Sequence, residues 1–328
     1  MKPSAKQQIL PTVLVGLVLC VAAMFWPASR DERPFTVAVT VWPGMEALLM
    51  GGQAARSNAT RINFVEMSWP TAVAGAFRKR VVDAAVVSLD ELLRLEADGA
   101  RPRAVLILGV SKGSDAVLAR PLLKGVPDLR GKRVGVELRS GGEYLLMRAL
   151  RENRMMLSDV ERVPLNLAET ESAFVADNLD AVVTSDPWCT RLKDKGAAVL
   201  FDSSQAGLEL TRVLVVREEA IDAHAEAIRL LVEAHLRLVT DFREAGDSSG
   251  LDAILRREGL TPAQWGRTLS LIHFPTAEEN QRLMDPETGE LVKCLRKMAA
   301  EMAEAGLLTG DVRTEVLLNA GFVKGGGR

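Results

Sequence analysis

The chain has 328 residues, enough for two or more lobes, and 48% of them are hydrophobic, ample for well-packed cores. Its 41 Lys+Arg against 43 Asp+Glu give a formal net charge of -2, which excludes the bulk basic field of a nucleic-acid binder, and no acidic tail stands out. Cys20, Cys189 and Cys294 are too few and too scattered for a disulfide framework or metal cluster, and His224, His235 and His273 show no metal-ligand spacing, so no metal, cofactor or catalytic residue is expected.

Lys2 and Lys6 precede an apolar run from Ile9 to Trp26, after which Arg30, Asp31, Glu32 and Arg33 return the chain to water. This is an export signal, and its length approaches the roughly 20 residues that span a bilayer. Residues 1–34 are therefore expected to be a signal anchor or a signal peptide, with the length favouring an uncleaved anchor. Leu17 to Cys20 loosely follows a lipoprotein box, yet Leu19 stands where a small residue belongs. The basic end would stay in the cytoplasm, leaving the body periplasmic or otherwise extracytoplasmic.

Phe35 to Val41 alternates like a strand, and Trp42, Pro43 and Gly44 turn the chain into a helix with Met45, Ala47, Leu48 and Leu49. Arg61 to Glu66 makes a second strand, with Trp69 and Pro70 opening the next helix. Ala84 to Val87 makes a third, with Ser88 and Glu91 as a capping box. Three strand–helix alternations argue a parallel α/β lobe. Ligands in such sheets bind beyond the carboxyl ends of the strands, which makes Trp42, Trp69 and Ser88 candidates together.

Ala104 to Val110 is the most apolar strand of the body, and it runs into a crossing at Ser111, Lys112, Gly113, Ser114 and Asp115. Extended Ala116 to Ala119 follows, then a unit from Asp128 to Leu150 that joins a strand at Val134 and Val136 to a helix starting at Gly141. There Ser140 and Glu143 are spaced as a capping box, and the pair Gly141 and Gly142 leaves backbone amides open at the positive end of the helix. Such an end suits a small polar or anionic group. Val160 to Pro164 and Ala181 to Thr184 are further strands, the second ending in Ser185, Asp186, Pro187 and Trp188, where Asp186 can cap its own helix. Ala198 to Phe201 closes this lobe and Thr211 to Val216 carries the chain back. Two crossings make a hinge on which two lobes could close.

A helical tail follows: one long pattern from Glu218 to Ala245, then helices near Leu251 to Arg257, Pro262 to Leu271, Ala277 to Met284 and Leu291 to Ala305, with Gly306 as a C-cap. They are expected to wrap the first lobe. Residues 324–328 are too glycine-rich to order.

Trp42-Pro43-Gly44 after the first strand, VVDAAVVSLDEL, SKGSDAVLA, DLRGKRVGVE, LDAVVTSDPW and HFPTAEENQRLM occur in the order and spacing seen in one family. From about Phe35 to Val323 the chain resembles the nitrate, sulfonate and taurine type of ABC-transporter substrate-binding protein, within the superfamily that also holds thiamine-pyrimidine-synthase-like proteins. The resemblance implies an α/β fold of the periplasmic-binding-protein type II: two hinged α/β lobes with a helical C-terminal tail, here preceded by an N-terminal hydrophobic helix. Lobe one would take residues 35–110 and 211–323, lobe two 111–210, and 324–328 would be a disordered tail.

The resemblance also implies capture of a small polar solute of the sulfonate, nitrate, taurine or pyrimidine class. Delivery to an ABC permease and its ATPase would follow, by a monomer held to the membrane through its N-terminal helix. By matching position Trp42, Trp69, Ser88, Ser111, Asp115, Ser140, Gly141 and Trp188 would line the cleft, with Gly142 and Asp186 in the same junctions. Lys112, Arg139 or Arg212 could neutralise an anion, while Glu143 and Asp115 suit a cationic or neutral hydrogen-bonding solute equally well. The alternatives are a ligand-sensing domain and an enzyme of thiamine-pyrimidine synthesis. That enzyme's cysteine-rich iron-binding motif is missing, and the short end before Ile9 leaves no room for a sensor's output domain.

Overall fold

The structure is a computed structural model that describes residues 33–54, 61–176, 178–245 and 251–323. The chain divides at Arg33 into two units, and everything below concerns the second, Pro34–Arg328. The expected membrane helix, Cys20 and the glycine-rich tail lie outside the described residues. Among the described residues no helix is long and apolar enough to cross a membrane.

Strand and helix alternate from the start: β1 (Phe35–Thr40), α1 (Glu46–Ala54), β2 (Ile62–Met67), α2 (Pro70–Arg78), β3 (Ala84–Ser88), α3 (Leu89–Ala97) and β4 (Pro102–Ser111). The second sheet opens with β5 (Asp115–Ala119), followed by β6 (Arg133–Val136), α4 (Gly141–Glu152), β7 (Glu161–Pro164), α5 (Thr170–Val175), β8 (Ala181–Ser185), α6 (Trp188–Asp194) and β9 (Ala198–Asp202). β10 (Thr211–Arg217) returns to the first sheet. The tail comprises α7 (Ala225–Ala245), α8 (Leu251–Glu258), α9 (Pro262–Ser270), β11 (Ile272–His273), α10 (Ala277–Leu283) and α11 (Glu290–Glu304).

The six strands of the first sheet run in the order β11-β4-β10-β3-β1-β2, and the five of the second β7-β6-β8-β5-β9. β1 pairs parallel with both β2 and β3, and β6 with both β7 and β8. Every residue of β3 and β4 is buried, as expected of strands covered on both faces. β10 wedges antiparallel between β3 and β4, setting Arg212 opposite Ser88 and Thr211 opposite Val110. The returning chain is thereby locked into the middle of the first sheet.

The two chain crossings lie side by side, because the Ser111 amide donates to the Leu210 carbonyl at 3.0 Å. Hydroxyls reinforce them: Ser111 Oγ lies 2.8 Å from Ser114 Oγ and 2.6 Å from Ser203 Oγ, and Ser203 Oγ also accepts from the Gly113 amide at 2.8 Å.

One apolar cluster joins Leu92 and Leu93 on α3, Leu145 and Leu146 on α4, and Leu295, Met298 and Met302 on α11. A second covers the other face of the first sheet, with Phe35, Trp42, Leu106, Ile228 and Leu231, and a smaller third holds Leu118, Val182 and Cys189. The tail thus reaches beyond the first lobe: Tyr144 Oη on α4 lies 3.4 Å from Glu301 Oε2 on α11, and the Thr190 and Thr268 hydroxyls of α6 and α9 lie 3.2 Å apart. Two sequence expectations shift. The helix expected from Glu218 starts at Ala225, because Glu218–Ala220 is a separate 3-10 turn closing β10. Ile272–His273, which fall between two expected helices with no element expected there, pair with Ser111 and Val110 of β4.

Candidate functional site

Parallel strands that share a direction bring their carboxyl ends to one edge, and here the edges of the two sheets meet. Thr40 ends β1, Ser88 ends β3, and Arg212 enters β10 opposite Ser88; across from them stand Asp115 at the head of β5, Glu137 just past β6, the first turn of α4, and Thr184 and Ser185 at the end of β8. These residues enclose a cavity of about 40 Å³, room for a few water molecules.

Arg212 is the guanidinium in this wall, and it is already engaged. Its two terminal nitrogens donate to Asp115 at 2.9 and 3.1 Å, a bidentate pair, and its carbon lies 4.4 Å from the centre of the Trp42 ring. Burial works against its charge, but the Asp115 carboxylate outweighs burial and holds the Arg212 pKa above its ordinary value. The indole can lie there because Gly44 has no side chain: a Cβ at that position would collide with the Trp42 ring.

Three helix N-termini converge on the cavity, and each holds a carboxylate of the protein itself. Glu91 Oε2 reaches back from the first turn of α3 to accept from the Ser88 amide and hydroxyl, both at 2.9 Å. Glu137 Oε1 crosses from the second sheet to the first turn of α2, accepting from the Thr71 amide at 2.9 Å and its hydroxyl at 2.6 Å. At α4 the expected reciprocal box between Ser140 and Glu143 is displaced by one residue. Ser140 Oγ accepts from the Gly142 amide at 3.1 Å, while Glu143 reaches back to the Arg139 amide at 2.8 Å and pairs with Arg162 at 2.6 Å.

Burial and then the neighbouring Asp90 carboxylate push the Glu91 acid up to about 8. Burial raises Glu137 and Asp90 as well, against the opposing bonds from Thr71 and the charge of Arg94 respectively. One oxygen of Glu91 and one of Glu137, with the hydroxyls of Thr40 and Thr184, are buried without a hydrogen-bond partner.

Of the residues singled out in the sequence, the structure gathers Ser88, Asp115, Ser140, Gly141 and Gly142 around the cavity. Trp42 stands one layer back, behind Arg212. Trp69 is 37% exposed at the cap of α2, beside Pro70 of the cavity wall. Ser111 belongs to the hydroxyl cluster of the crossing. Asp186 turns to its own helix, accepting from the Thr190 amide at 2.8 Å, and Trp188 is buried beside Arg191. Of the proposed cations, Lys112 donates to the Gly207 carbonyl, and exposed Arg139 lies 3.6 Å from Asp98. Thr40, Glu137 and Thr184 were missed, although each sits at or just past a strand end, the position that selected Ser88. Among the described residues, no group of His, Cys, Asp and Glu is placed to hold a metal.

Two α/β sheets flanked by helices, with facing strand ends and paired crossings, constitute the fold of a periplasmic binding protein. Residues 116–244 match the family described as NMT1/THI5 like. A putative binding protein of Brucella abortus is 29% identical over 143 residues, 42% of this chain and 44% of that protein, so the match spans less than half of that relative's length. A putative aliphatic sulfonates-binding protein of Escherichia coli is 30% identical over 115 residues, 35% of this chain and 34% of its own. Among solved structures, the alkanesulfonate-binding protein SsuA of Xanthomonas axonopodis pv. citri bound to MOPS superposes with a TM-score of 0.73 at 19% identity, over 89% of this chain and 99% of that one.

Proposed function

We propose that the protein is the solute-capturing component of an ABC importer, taking a small polar solute between two closing lobes and handing it to a membrane permease driven by its ATPase. The observation that carries this is the meeting of the strand ends of both sheets over one cavity of mixed polar and apolar lining, at the place where the chain crosses twice between them. Residues 35–110 with 211–323 would move against 111–210, and the side-by-side crossings at Ser111 and Leu210 would absorb the dihedral change. The family match and the relatives described as binding proteins support the same role. The basic and apolar N-terminal segment supports a position on the outer face of the cytoplasmic membrane, with the protein tethered there. Carriage rather than conversion fits a wall of hydroxyls, carboxyl groups and one engaged guanidinium set among apolar side chains such as Met45, Val183 and Leu210.

The test is a thermal-shift titration of the purified protein with a panel of small amines, pyrimidines, sulfonates and nitrate. The bound solute is then recovered and weighed by mass spectrometry. A true ligand at about 100 times its dissociation constant adds about 2.7 kcal/mol of stability, and it should leave the protein unchanged. A panel without any response, or a solute recovered as a converted product, rules the role out.

A further inference from the structure

We propose that this cavity selects a small organic cation carrying several N–H donors, such as a protonated amine or an amidinium, and rejects oxyanions. The inference rests on the solute-capturing role above and assigns the charge of its solute. Helix N-termini ordinarily attract anions, and three of them converge here. Two are answered by the protein's own acids, α2 by Glu137 at the Thr71 amide and α3 by Glu91 at its Ser88 cap, while at α4 the Ser140 hydroxyl takes the Gly142 amide and Glu143 holds the Arg139 amide just ahead of the helix. At α2 and α3 an incoming oxyanion would have to displace a buried carboxylate. The guanidinium in the wall offers no alternative, since Arg212 spends both terminal nitrogens on Asp115 and one face on Trp42.

What is left over is two carboxyl oxygens, and two hydroxyls that can accept as well as donate. Glu91 Oε1 and Glu137 Oε2 are buried without a partner on residues only 3% and 8% exposed, both in the cavity wall. Independently of the acids, the Thr40 and Thr184 hydroxyls are 7% and 2% exposed, lack partners, and belong to the same wall. Buried polar atoms are normally satisfied, and each one left alone is costly. In charge, Asp115 offsets Arg212, and burial favours the neutral form of Glu91 and Glu137, so a bound cation is matched by drawing off a proton whereas an oxyanion meets a guanidinium already paired. The parallel N–H bonds of an amidinium match a carboxylate as a guanidinium does. A cavity of about 40 Å³ suits such a compact head group.

The experiment titrates the purified protein with acetamidinium and propylammonium, and separately with propanesulfonate and nitrate, following melting temperature and tryptophan fluorescence. The cations should raise the melting temperature saturably and the oxyanions should not. E91Q and E137Q keep an acceptor for Ser88 and Thr71, so circular dichroism should show them folded, with cation affinity lowered about ten-fold or more. Stabilisation by the oxyanions alone, or cation affinity unchanged in both variants, overturns the charge assignment and leaves solute capture standing. Silence towards solutes of either charge overturns both.

Discussion

Burial and the Asp90 carboxylate raise the Glu91 acid from an ordinary 4.5 to about 8, so the folded protein keeps a proton that the unfolded chain gives up. Between those two values the native state holds more protons, and stability must fall as pH rises from 4.5 towards 8, levelling above it. Glu258, also pushed to about 8 by burial, and Asp90 and Glu137, raised by burial, act in the same direction. Replacing Glu91 by Gln removes one of these groups while preserving an acceptor for Ser88. Urea unfolding should find E91Q more stable than the parent at pH 8, by on the order of 2 kcal/mol, with the difference shrinking towards pH 5. Parallel pH profiles for the two proteins would show that Glu91 is not buried as a proton-holding acid. In the sequence Glu91 was visible only as the capping partner of Ser88, because spacing along a helix reports local bonds and not what faces the helix. Ser88 at the end of β3 and Ser140 at the cap of α4 were legible, since the direction of parallel strands brings strand ends and the helix starts that follow them to one edge. Trp42 follows a strand end as Ser88 does, but where its indole points depends on empty space at Gly44, a packing fact with no sequence period.

Between elements, the first turns of α3 and α4 come close to one another at the site. A Cβ built on Gly141 would lie 3.3 Å from Ser88 Oγ and 3.4 Å from Asp90 Oδ1, so the backbone of α4 comes this near only because residue 141 has no side chain. G141A should therefore hold the lobes a few tenths of an ångström further apart when they close. Alanine is the better helix former, by up to about 1 kcal/mol, so α4 itself should not weaken. The expected outcome is a melting temperature close to the parent's without solute and a roughly three- to ten-fold loss of affinity, which isothermal titration would measure. Equal affinity would mean that the two turns do not meet in the bound state. Most elements were readable from apolar alternation and helical spacing, including β10, whose apolar run predicted a return strand. Its continuation misled: Glu218 has helical neighbours in sequence, yet its carboxylate pairs with Arg103 at 3.0 Å and with Arg101, which fixes a tight turn before α7 can begin. β11 was unreadable because two residues carry no period, and only the exposed edge of β4 makes them a strand.

At the scale of the molecule, the proposed hinge between two lobes and a core shared by both sheets pull in different directions. The main apolar cluster runs through α3, α4 and α11 and includes strands of both sheets, among them Val87 and Val134. Polar contacts follow the same path: Arg148 of α4 pairs with Glu209, next to the returning crossing, at 2.6 Å, and Lys297 of α11 meets the same carboxylate. A motion that opened this side would expose apolar area at about 25 cal/mol per Å², so the cavity side must move while the α11 side stays packed. Met298, fully buried on α11, sits in that shared cluster and touches no part of the cavity wall. Its replacement by alanine should cost about 2 to 5 kcal/mol. If the shared cluster couples the lobes, that cost should appear in both sheets at once, as a single transition with circular dichroism and tryptophan fluorescence coincident. Hydrogen exchange should accelerate together at β3 and at β6. Two separated transitions, or faster exchange confined to the first sheet, would mean that α11 belongs to one lobe alone and that the second is free to swing as a whole.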